Sequence, residues 1–104
     1  MIAMTATLRP AASVTSLSLL AQDLRRHHEH HLIVVDKMVV HVPKVGKVLV
    51  TEGSGRIRVD LVADSEEALP SLMDNLERDL RALPHGQELL VEWKKSSAVP
   101  NSLR

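Results

Sequence analysis

The chain has 104 residues, 44% of them apolar and 25% charged, a balance that suits one globular domain rather than a disordered chain. Lys plus Arg and Asp plus Glu stand at 13 each and Trp93 is the only aromatic residue, so neither a positive field nor a stacking platform points to nucleic acid. With no cysteine there is no disulfide, thiolate catalysis or Cys-ligated metal, which suits a cytoplasmic setting, and no apolar run reaches the length of a membrane span.

The first element, "TATLRPAA", carries Pro10 and is expected to be a ragged edge strand or an extended arm. Leu17, Leu20, Ala21, Leu24 and then His28 or His31 recur at three- and four-residue spacings, which predicts a helix over residues 16–29. Thr15 or Ser16 would cap its start, and Arg25, Arg26 and several histidines would gather at its dipole-favoured end. "LIVV" then runs into an Asp36-Lys37 turn, "MVVHV" into "PKVG", and "KVLVTE" and "RIRVDLVA" flank "GSG". Alternation of Ile57, Val59, Leu61 and Ala63 with polar neighbours marks a strand with one face on the core.

Asp64 and Glu67 have capping-box spacing ahead of a second helix, whose stripe runs through Leu69, Leu72, Met73, Leu76, Leu80 and Leu83. Pro70 predicts an irregular start or a kink there. "LPHGQ" ends the helix, "ELLVEW" is a last strand, and the final residues are polar. The expected fold is α+β, an antiparallel sheet in the order β-α-β-β-β-β-α-β with two helices packed on one face. One domain would span residues 1–95, followed by a disordered tail over residues 96–104.

Four of the six histidines, His27, His28, His30 and His31, lie in "RRHHEHHL". On a continuing helix His27 would share a face with His30 and His31, and such pairs can chelate a transition metal or haem iron. His27, His30 and His31 are therefore the candidate metal ligands, with His41 and His85 as distant completers. The competing readings are a solvated helix end and a pH-sensitive interface. Elsewhere there is no "GxSxG" elbow and no phosphate loop around "GSG", and the carboxylates of the second helix interleave with arginines as on an ion-paired surface. Trp93 alternates with Val91 and Leu89 as a core residue would.

Three stretches carry a family resemblance. "LRRHHEHH" resembles a Leu-x-Lys-His-x-x-His motif at a helix end, with His27 and His30 matching its histidines. "RIRVDLVADSEEALPSLMDNLERDL" is similar to a strand–Asp–acidic–Ala–Leu–helix pattern, and "ELLVEW" looks like a closing Glu-Leu-x-x-x-Trp strand. Together they resemble the small bacterial family catalogued as domain of unknown function 2218. Its members stand alone or are attached to flavin-dependent siderophore-interacting reductases. The resemblance implies a non-enzymatic accessory or binding module linked to iron or siderophore metabolism, with such a reductase or another protein as partner and self-association left open. The alternative is a metal- or haem-binding protein using the histidine cluster.

Overall fold

A computed structural model describes residues 1–11, 17–96 and 98–104. Its elements run β1 (Ile2–Pro10), α1 (Leu17–His27), β2 (His30–Val34), β3 (Lys37–Val42), β4 (Gly46–Gly53), β5 (Arg56–Ala63), α2 (Leu69–Ala82) and β6 (Leu89–Lys95). This is the predicted element order, an α+β fold built on one antiparallel sheet. The expected cap at Thr15 or Ser16 lies outside the described residues.

The sheet order is β2-β3-β4-β5-β1-β6. The four middle strands of the chain form the expected meander, since each short turn returns the backbone alongside its predecessor. β1 is not an edge strand. It lies between β5 and β6, pairing Leu8 with both Ile57 and Val91. Pro10 is tolerated because it is the last residue of the strand, where a missing N–H interrupts no ladder.

Strand alternation sends Ala6, Leu8, Val40, Val48, Val50, Ile57, Val59 and Leu61 to one face. Leu20, Ala21 and Leu24 of α1 and Leu76 and Leu80 of α2 cover them, so one core holds both helices to one side of the sheet. Pro70 falls in the first turn of α2, where its fixed φ suits the helix, and the expected irregular start is the 3-10 turn Glu66–Ala68 that runs directly into it. The expected capping box is not formed. A short 3-10 helix, Glu66–Ala68, precedes α2, and Ser65 at its start makes no side-chain cap bond.

Gly86 explains why "LPHGQ" turns where it does. A Cβ there would lie 1.7 Å from the Leu80 carbonyl oxygen, so only glycine lets the loop fold back onto the end of α2. Beyond β6 the chain makes a further backbone bond, Ser96 N–H to Ala3 C=O at 2.9 Å, and residues 101–103 form a 3-10 turn beside β4. The sequence suggested a structureless tail over residues 96–104, because its polar composition carries no periodic signal.

Candidate functional site

α1 stops at His27 rather than Glu29, and β2 starts at His30. The helical spacing that would bring His27, His30 and His31 together is therefore absent. His30 and His31 are successive strand residues whose side chains leave the sheet in opposite directions, and all three rings are exposed. Among the described residues no group of three or more His, Cys, Asp or Glu side chains is placed to hold a metal ion.

The break between helix and strand builds something else. His27, His28 and Glu29 form one wall of an open cleft of about 510 Å³, and His41, Val42 and the turn from Pro43 to Gly46 form the other. The Glu29 carbonyl accepts the His41 N–H at 2.9 Å, fastening the two walls at the base. The turn is held in an unusual backbone shape. Lys44 has φ of 65° and Gly46 of 99°, and the left-handed region costs a non-glycine residue such as Lys44 about 1 kcal/mol. Strain of that kind tends to collect where a ligand is gripped.

His28 is the distinctive member of this cleft. It continues the apolar face of α1 one turn past Leu24, and its side chain is only 4% exposed. Nε2 lies 2.7 Å from Asp79 Oδ2 of α2. A carboxylate can only accept, so Nε2 carries the proton and donates. That leaves Nδ1 buried with no hydrogen-bond partner among the described residues. Buried polar atoms of folded proteins are nearly always partnered, so an orphan at a cleft wall is a meaningful exception.

His41 joins the cleft as the sequence allowed, while His85 belongs elsewhere. Its backbone N–H and its Nδ1 both donate to Oδ2 of the buried Asp23, at 2.8 and 2.9 Å, tying the α2–β6 loop to α1. Sequence reasoning missed Asp79 and Asp23 because each looked like an ordinary surface carboxylate. Asp23 did carry a signal, being next to Leu24 and two residues from Ala21 on the buried side of α1. Trp93 is half-buried against the core, and its indole N–H donates to Glu77.

Comparison with family models, with curated proteins and with solved structures finds no match to this chain. Among the described residues no helix is long and apolar enough to cross a membrane.

Proposed function

We propose that this chain is a non-enzymatic binding module of bacterial iron and siderophore metabolism, taking a small ligand in the cleft at the end of α1. The observation that supports it is His28, a residue of the cleft wall anchored by a carboxylate, whose buried Nδ1 has no partner among the described residues. An unpartnered ring nitrogen in a residue that lines an open cleft is the kind of group a ligand can satisfy once the wall adjusts to it, and the cleft volume falls in the usual range for small-molecule sites. Val42, Pro43 and Val45 supply apolar wall, while His27, His41 and Lys44 supply polar contacts. The iron context and the reductase partner rest on the resemblance of "LRRHHEHH", the central strand–helix segment and "ELLVEW" to the family described above.

The test is an amide NMR titration of the full chain with a gallium-loaded catecholate siderophore, a diamagnetic stand-in for the ferric complex. Shifts centred on residues 27–29 and 41–46, weakened by His28→Gln, are the expected result. Saturable shifts elsewhere, or none, would remove the cleft from consideration. Zinc alone in a parallel titration separates complex binding from simple metal chelation by His27, His30 and His31.

A further inference from the structure

The opposite face of the sheet carries a second polar concentration. Alternation places Arg56 and Arg58 of β5, Thr5 and Thr7 of β1 and Lys94 of β6 on the side away from the helices. Register brings them together: Thr7 stands opposite Arg58, and Thr5 stands between Asp60 and Lys94. With Lys95 and Ser96 they line an open cleft of about 350 Å³.

Asp60 is the group that organises it. This carboxylate is 2% exposed, a costly placement unless its oxygens are satisfied. It accepts from Thr5 Oγ1 at 2.6 Å and from Arg58 Nε and Nη2 at 3.3 and 3.2 Å, all at Oδ1. Arg58 is thereby held by one side of its guanidinium, while its side chain remains 54% exposed and Nη1 has no hydrogen-bond partner among the described residues. A fixed arginine with an outward fork is suited to a tetrahedral oxyanion.

The charges facing this cleft leave room for an anion. Lys95 is engaged by Glu66 at 3.1 Å, and Glu92 stands on the same face opposite Thr7. Among the described residues Arg56 and Lys94 have no ion-pair partner. Two unpaired cations, one anchored arginine and the Thr7 hydroxyl thus converge on a shallow surface without aromatic side chains. A stacked base has nothing to rest on there, whereas a compact dianion meets several donors at once.

We propose that this face binds a small soluble molecule through a phosphoryl group, received by Arg58, Arg56, Lys94 and Thr7, with Asp60 as the residue that positions Arg58. The site is separate from the His28 cleft, so it stands or falls independently.

The test titrates the full chain with glycerol phosphate at low ionic strength, read by amide shifts, with sodium chloride at matched ionic strength as control. Saturable shifts at Thr5, Thr7, Arg58 and Lys94 that chloride does not reproduce are expected. Arg58→Gln should weaken binding about tenfold, the loss of one charge-assisted bond, and Lys94→Gln should weaken it several-fold. Lys94 is exposed and has no ion-pair partner among the described residues, so that variant keeps the fold and decides even where Arg58→Gln, which strips the cation from buried Asp60, does not. Asp60→Asn separates positioning from charge. Removing a negative charge beside an anion would strengthen binding, but releasing Arg58 should weaken it. If that variant does not fold, the Lys94 variant still decides. Equal binding by these variants, equal response to chloride, equal affinity for citrate, or binding only to vesicles containing phosphatidic acid would each overturn the proposal.

Discussion

Nε2 of His28 donates to Oδ2 of Asp79 across 2.7 Å, although the two residues are 51 positions apart. The pair locks the end of α1 onto α2 and fixes the imidazole that walls the cleft. Asp79→Ala would leave both ring nitrogens of a buried histidine unpartnered, an expected loss of about 1–3 kcal/mol. Thermal melting should fall by roughly 4–8 °C for each kcal/mol in a domain of this size. Asp74→Ala, at an exposed position of the same helix, is the control and should change little. Matching melts for the two variants would show that the His28 pair contributes nothing to the fold.

Asp23 and His85 make a comparable link with a different division of roles. Asp23 receives the backbone N–H and the ring N–H of His85 at the same oxygen. His85→Ala removes only the ring bond of a 40%-exposed side chain, and about 0.5 kcal/mol is expected. Asp23→Ala also abandons the loop N–H beneath it and should cost about 2 kcal/mol. Chemical denaturation of both variants gives the order directly. A larger loss at His85 than at Asp23 would contradict it.

The fold was legible wherever local pattern and pairing agree. The meander from β2 to β5 could be read because short apolar runs are separated by Asp36-Lys37, "PKVG" and "GSG", one turn signal for each return. β1 was misjudged because Pro10 was weighed without knowing that it ends the strand. At the cleft, the apolar spacing offered His28 or His31 for the inner face of α1, and it is His28 that is buried there. What could not be read was the stop at His27, since nothing local separates a helix from a strand in a run of histidines. Asp79 was equally hidden, because a partner 51 residues away leaves no trace in spacing.

Gly86→Ala tests a contact rather than a bond. The added methyl would meet the Leu80 carbonyl, oxygen and carbon both, backbone atoms that cannot rotate aside. Overpacking of this kind typically costs up to about 3 kcal/mol, and the loop must move to relieve it. The variant should melt well below the parent. It should also lose the Asp23–His85 signature in amide spectra, because His85 precedes the displaced residue. Gly55→Ala is a useful comparison, with open space around its Cβ and only the strain of φ at 70°.

The β2 edge carries a different liability. Leu32, Ile33, Val34 and Val35 are 57%, 41%, 52% and 96% exposed, beside a row of backbone groups that no neighbouring strand takes up. The opposite edge is guarded by Glu92, Lys94 and Lys95, whereas β2 has no fixed charge. Natural edge strands usually carry such guards against pairing with other chains. Val34→Lys should therefore slow aggregation in concentrated samples while leaving the melting point within about 0.5 kcal/mol of the parent's stability. Light scattering during incubation measures it. Aggregation unchanged by the substitution would place the sticky surface elsewhere.

The chain end supplies the last prediction. Val39 and Leu49 face each other across β3 and β4 and alternate with Val40, Val48 and Val50, which face the helices. They therefore belong to the opposite side of the sheet, yet they are only 7% and 8% exposed. Something covers them. Both edges of β4 are occupied by β3 and β5, so the 3-10 turn of residues 101–103 that lies against β4 must cross one of its faces. The helices fill the other side, which leaves the Val39–Leu49 side for the turn, with Leu103 half-buried there. Removing residues 98–104 would expose two aliphatic side chains, a loss of about 1–2 kcal/mol at 25 cal/mol per Å² for the areas of such residues. Lower thermal stability and new binding of a hydrophobic dye are expected together. A truncated chain that melts like the parent and binds no dye would mean that this face is covered by something other than the tail.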